Sequence, residues 1–140
     1  MSFSIITTDW LSQQGALKFI REQVFIAEQA VPLALEWDGL DEAARHWLAV
    51  DKKHHPIGCA RLLSTGQIGR MAVLKPWRGQ GVGRALLTAI LSASTAQNGV
   101  KLFLHAQTDA IDFYLAFGFN ARGSVFYEAD IPHIYMESSA

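Results

Sequence analysis

The chain has 140 residues, half of them hydrophobic, a single cysteine and a formal net charge of −1. That length supports one substantial core and is too short for two, and the lone Cys59 excludes an internal disulfide. The basic residues lack the clustering and aromatic interleaving that nucleic-acid binding needs, so no nucleic-acid partner is expected.

Met1-Ser2-Phe3-Ser4-Ile5 puts no basic stretch ahead of an apolar one, and no apolar run approaches the ~18 residues of a membrane span. No membrane partner is expected, and the cytoplasm is the expected compartment. Phe3 to Thr7 alternates as a strand, after which Asp9 can cap a helix carrying Leu11, Leu17, Ile20, Val24 and Phe25 on one face. Gln29 to Ala44, with Pro32, Gly39 and scattered acids, predicts a loop with one helical turn. His46 to Asp51, Ile57 to Leu63 and Gln67 to Leu74 are strands joined by short turns, hence an antiparallel meander. Cys59, inside the second of these, reads as a buried structural thiol. A helix from Gly81 to Ala96 stops near Asn98-Gly99, and Val100 to Ala106 is an apolar strand. Thr108 or Asp109 then caps a helix containing Tyr114, and Phe119 to Tyr127 and Ile134 to Glu137 end the chain as strands. This order is α+β (mixed α/β) rather than regularly doubly wound.

The junction Trp77-Arg78-Gly79-Gln80-Gly81-Val82-Gly83-Arg84 joins a strand to a helix. Alternate glycines leave backbone N–H groups uncovered where the helix N-terminus adds unpaired donors and positive dipole, and two arginines flank them with permanent charge. Such a surface suits a pyrophosphate. A Walker A loop is excluded because Gly83 is followed by Arg84-Ala85 rather than Lys and Ser or Thr. A dinucleotide fingerprint is excluded because Arg84 stands where its third glycine belongs, with no acid about 20 residues on.

Arg78-x-x-Gly81-x-Gly83, followed by Asp112-Phe113-Tyr114 and Phe117-Gly118-Phe119, resembles the two core signatures of the GCN5-related N-acetyltransferase (GNAT) family. Val24-Phe25-Ile26-Ala27-Glu28-Gln29, Glu36-Trp37-Asp38, His46, Arg61-Leu62, Ile68-Gly69-Arg70, Ala106-Gln107 and Ile131-Pro132-His133-Ile134-Tyr135-Met136 resemble its ElaA/YjcF-like branch. The resemblance spans nearly the whole chain and implies a single acyltransferase domain over 1–140. It implies a mostly antiparallel twisted sheet with splayed central strands, acetyl-CoA as co-substrate without a metal, and direct attack by a primary amine. Arg78, Gly79, Gln80, Gly81, Val82, Gly83 and Arg84 would then hold the pyrophosphate. Met71, Ala72 and Val73 would lend backbone groups to the pantetheine and the thioester oxygen, and Tyr114 would protonate the leaving thiolate. Gln107 stands where many members carry Asn.

An alkyl ammonium is only about one part in a few thousand neutral at pH 7, so its attack needs a base or a proton-conducting path. Glu28, Glu36, Asp38, His46 and His105 are the candidates, each weighed against a capping, bridging or core role. Glu22 to Ala44 holds six acids and no Lys or Arg, whereas Lys52 to Thr108 holds eight basic residues and no acid. The first stretch suggests a reader of a small cationic amine and the second a polyanion site; a buried central sheet, where charges of either sign are few, also yields acid-free stretches. His54-His55 and His133 lack the spacing of a metal site. Two other readings stay open: a catalytically silent acyl-CoA-binding sensor, and a partner-binding domain. An exposed strand edge near the C-terminus could pair two copies as a homodimer.

Overall fold

The computed structural model describes residues 2–94 and 101–138. Its strands form one seven-stranded sheet in the order β1-β2-β3-β4-β5-β7-β6. Strands β1 (Phe3–Thr8), β2 (Arg45–Asp51), β3 (Pro56–Leu62) and β4 (Gln67–Val73) make the expected antiparallel meander. Strand β5 (Phe103–Gln107) runs parallel to β4, and the hairpin of β6 (Phe119–Glu128) and β7 (Ile131–Ser138) follows, with β6 at the sheet edge.

Alternation in β2 sends Trp47 and Ala49 to one face and Leu48 and Val50 to the other, and all four are buried because helices cover both sides. Helix α1 (Trp10–Arg21) covers one face with Trp10, Leu17 and Ile20. Its N-terminus is fixed as expected, the Asp9 carboxylate accepting from the Ser12 N–H at 2.8 Å. Contrary to the expectation from its spacing, the helix does not present Leu11 to the core. Gln13 departs from helical dihedrals (φ −131°, ψ 23°) and shifts the phase of the first turn, so Trp10 is buried and Leu11 is 80% exposed. After Arg21 the chain continues as a π-helical segment, Glu22–Glu28, and α2 (Leu33–Glu36) is the single turn expected in the following loop.

Helix α3 (Val82–Ser94) covers the opposite face, burying Val82, Leu86, Leu87 and Ile90 completely. Each such side chain is worth about 1.5–3 kcal/mol of transfer free energy, which clamps the start of the helix to the sheet. The approach is close because β3 offers Gly58 there: a Cβ at Gly58 would stand 3.0 Å from Val82 Cγ1 and 3.1 Å from the Ala72 carbonyl oxygen. The expected helix end near Asn98-Gly99 and the strand start at Val100 lie outside the described residues; β5 begins at Phe103. Neither Thr108 nor Asp109 caps the helix carrying Tyr114. Both belong to a 3₁₀ turn, Thr108–Ala110, that feeds α4 (Ile111–Leu115) without a side-chain cap.

Candidate active site

The pairing of β4 with β5 stops after Gln67↔Phe103 and Ile68↔Leu104, and beyond it β5 continues along β7 alone. The two strands therefore splay, opening a cleft of about 730 Å³ whose walls include Met71 from β4, His105 and Gln107 from β5, Tyr114 from α4, and Glu128 and His133 from the β6–β7 hairpin. An extra residue in β4 sharpens the separation. Cys59 pairs with Ala72 but Arg61 pairs with Gly69, so β4 carries a bulge at Arg70, whose φ of +48° is the left-handed region that non-glycine residues avoid. Its side chain pins that conformation, Nη2 donating to the Leu35 and Glu36 carbonyls and to Asp38 at 3.1 Å each. The buried Cys59 thiol donates to the Arg70 carbonyl at 3.2 Å, and burial pushes its pKa up to about 12. Cys59 is thus the structural thiol its strand setting predicts, not a nucleophile.

The glycine loop starts where β4 ends, after a 3₁₀ turn, Lys75–Trp77. Gly79 and Gly81 have φ of +76° and +88°, and a Cβ at either would project into open space above the loop. The loop is exposed at Gly79, Gln80 and Gly81, and the Gly81 carbonyl accepts from the Ala85 N–H at 3.0 Å, which places Gly81 at the start of α3. These features fit an anionic guest: uncovered amides, a helix N-terminus and the exposed Arg84. Val82 and Gly83 serve differently, Val82 as a core side chain and Gly83 as the helix position facing Phe113 and Val73. Arg78 does not stand free over the glycines. Its Nε donates to the Val73 carbonyl at 2.9 Å, and its two terminal nitrogens make a forked ion pair with Glu28 at 3.0 and 2.8 Å. Trp77 packs edge-on against Phe3.

The structure brings together Met71, His105, Gln107 and Tyr114 of the expected site residues. The Tyr114 hydroxyl lies 3.9 Å from Met71 Sδ, and burial pushes its pKa up to about 12, so at neutral pH it carries its proton. Gln107 Nε2 donates to Gln29 Oε1 at 3.1 Å, tying β5 to the end of the π-helical segment. His105 is part-exposed and its Nδ1 lies 3.2 Å from Glu128. His46 is placed elsewhere: its ring is 1% exposed, packs on Trp10 and bonds the Asp41 carbonyl through Nε2 at 2.8 Å. Burial drives its pKa down, and it does not line the cleft. It is a core imidazole rather than a base.

Glu36 lines the cleft but is not free either. Arg21 Nε donates to it at 2.6 Å, Arg70 Nε lies 3.3 Å away, and burial still pushes its carboxyl pKa up. Asp41 binds both Arg21 and Arg61, at 2.6 and 3.1 Å. Burial opposes ionisation of Asp38, yet the hydrogen bonds from Arg61 and the Leu40 N–H outweigh it and hold the pKa at about 2. Four of the six carboxylates of the acid-rich segment are thus engaged by arginines, while Glu22 and Glu42 are exposed. Glu28, Glu36, Asp38 and Asp41 neutralise Arg21 and, from the base-rich segment, Arg61, Arg70 and Arg78. Arg61 and Arg70 of the second stretch thus meet Glu36, Asp38 and Asp41 of the first in one buried cluster with Arg21, and Arg78 meets Glu28 in a separate exposed pair. Among the described residues no group of three His, Cys, Asp or Glu side chains could hold a metal, and no helix is long and apolar enough to cross a membrane.

A parallel step in an otherwise antiparallel sheet, a cleft opened at that step and a glycine loop leading into the next helix make up the candidate site. The model of the acetyltransferase (GNAT) domain matches residues 7–140. The uncharacterized N-acetyltransferase YjcF of Bacillus subtilis is 34% identical over 122 residues, covering 84% of this chain and 86% of that protein. The crystal structure of Escherichia coli ElaA has a TM-score of 0.88 at 29% identity, covering 99% of this chain and 100% of that one. An acyl-CoA N-acyltransferase from Pseudomonas aeruginosa gives 0.85 at 30% identity over the same shares. The chain belongs to the GNAT acetyltransferase family, enzymes that transfer an acyl group to an amine, and is ElaA/YjcF-like within it.

Proposed function

We propose that this chain, acting as one domain over 1–140, is an acetyl-CoA-dependent N-acetyltransferase that acetylates a small primary amine by direct attack, without an acyl-enzyme intermediate. The observation that carries the reading is the meeting of Tyr114, Met71, Gln107 and His105 in one cleft that opens where β4 leaves β5. When bound, acetyl-CoA supplies the acetyl group as a thioester. The exposed amides of Gly79, Gln80 and Gly81, with Arg84 and the α3 N-terminus, would hold its pyrophosphate. The β4 backbone at Met71, Ala72 and Val73, unpaired by β5, would accept the pantetheine as an added strand and give the carbonyl oxygen an N–H donor. Tyr114 would give its proton to the sulfur as the carbon–sulfur bond breaks. His105 would take the proton that the amine sheds as the new carbon–nitrogen bond forms. The buried Cys59 offers no relay, and a silent sensor would have no need of a protonated Tyr114 in the cleft.

Gly81→Val tests the loop. Valine at φ +88° is strained and places a branched side chain over the amides, so titration calorimetry should show CoA affinity lowered about tenfold or more, equal to about 1.4 kcal/mol. Unchanged affinity in a folded variant would remove the loop from the account.

A further inference from the structure

The carboxylate that works with His105 comes from a part of the chain that its sequence spacing does not mark. Strands β6 and β7 are joined by Ala129 and Asp130, at φ +50° and +62°, a two-residue turn of the kind that suits a right-handed hairpin. Glu128 pairs with Ile131 across that turn, so it sits at the tip of the hairpin, on the wall of the cleft opposite β4. From there its two oxygens lie 3.2 and 3.3 Å from His105 Nδ1. A carboxylate only accepts hydrogen bonds, so the contact calls for the proton on Nδ1 and, in the neutral ring, leaves the Nε2 lone pair free.

The imidazole is also held from its other sides. Phe126 meets it edge-on at 5.1 Å between centroids, and Tyr135 and Phe103 flank it at 6.3 and 6.4 Å. His133 stacks on Phe126, spends its own Nδ1–H on the Ile131 carbonyl at 2.7 Å, and turns Nε2 toward the same Glu128 oxygen at 3.9 Å. Both imidazoles line the cleft, His133 directly across from Gln107, but only His105 lies within hydrogen-bond distance of the Glu128 carboxylate.

We propose that Glu128 is a positioning residue that sets the tautomer and aim of His105, making His105 Nε2 the general base for the acceptor amine. The proposal rests on the acetyltransferase reading above. In the step, the amine nitrogen bonds to the acyl carbon and its proton passes to Nε2, while the carbon–sulfur bond breaks and the sulfur takes the Tyr114 proton. The Nδ1–H stays on His105, directed at Glu128. Exchange with water at the cleft mouth then returns both residues to their starting protonation states.

Three variants and one spectrum test it. Long-range proton–nitrogen correlation spectra should show the Nδ1–H tautomer of His105 in the wild type and its loss in Glu128→Gln. His105→Gln should lower kcat about 100-fold and Glu128→Gln about tenfold, with KM for acetyl-CoA unchanged in both. The double variant should be no slower than His105→Gln, because Glu128 acts only through that ring. Losses that multiply in the double variant, or an Nε2–H tautomer in the wild type, would overturn the proposal. Near-normal turnover in His105→Gln and Glu128→Gln, alongside a strong loss in Tyr114→Phe, would overturn it while leaving the acetyltransferase reading intact.

Discussion

Replacing Tyr114 by phenylalanine should lower kcat by about 100-fold while CoA affinity and thermal stability barely change. The ring packs edge-on against Phe113 at 5.0 Å and Phe119 at 6.2 Å, and phenylalanine keeps both contacts. Only the hydroxyl is lost. A general acid is worth about 10²- to 10⁴-fold, and the low end applies because a thiol with a pKa near ~8.5 already makes a fair leaving group. A phenol held at about 12 is a weak acid against such a thiol in water. Inside the cleft the same desolvation raises the basicity of the departing thiolate, so the two move together. Steady-state rates at saturating substrates read the effect directly. A rate within about twofold of wild type would make Tyr114 a packing residue and nothing more.

The largest stability effect is expected at Arg21, which no reading of a catalytic site would single out. Its guanidinium, 1% exposed, donates to Glu36 and Asp41 at 2.6 Å each and to the Glu36 carbonyl at 3.1 Å, and it lies over the Trp37 ring at 4.8 Å. Arg21→Leu would keep much of the volume and leave the buried Glu36 and Asp41 carboxylates only their longer contacts with Arg70 and Arg61. Breaking one partner out of such a system costs about 3–5 kcal/mol, because the remaining charges stay desolvated. Urea unfolding should show the midpoint fall with an unchanged slope. A loss under about 1 kcal/mol would mean that Arg61 and Arg70 suffice to hold the carboxylates.

This network also shows where sequence reading succeeds and where it stops. The glycine loop, the meander and the Tyr114 helix are local: their residues are neighbours in the chain, and glycine at positive φ, strand alternation and the Phe-Tyr pair carry their own signal. The partners of the acid-rich segment were not legible because they are not local. For Glu28, Glu36, Asp38 and Asp41 a bridging role and a binding role stay equally open until the fold sets Arg21, Arg61, Arg70 and Arg78 against them. A long acidic stretch beside a long basic one is itself a sign of mutual pairing, and that was the available clue. His46 looked as eligible as His105 because a strand position does not say which face is covered; Trp10 covers it. Leu11 failed because a single non-helical residue, Gln13, rephases the helix. Glu128 carried no signal, since its contact with His105 depends on a hairpin that brings residue 128 beside residue 105.

The transfer itself is tested most directly by incubating the purified protein with acetyl-CoA and a panel of amines. The panel should span amino acids, polyamines, amino sugars and peptide N-termini, with thiol release and the mass of the product followed together. At least one small primary amine should gain a single acetyl group in step with thiol release, and Tyr114→Phe should slow that same reaction. Binding of CoA without acetylation of any amine in the panel would contradict the transfer and leave the silent acyl-CoA sensor as the better description.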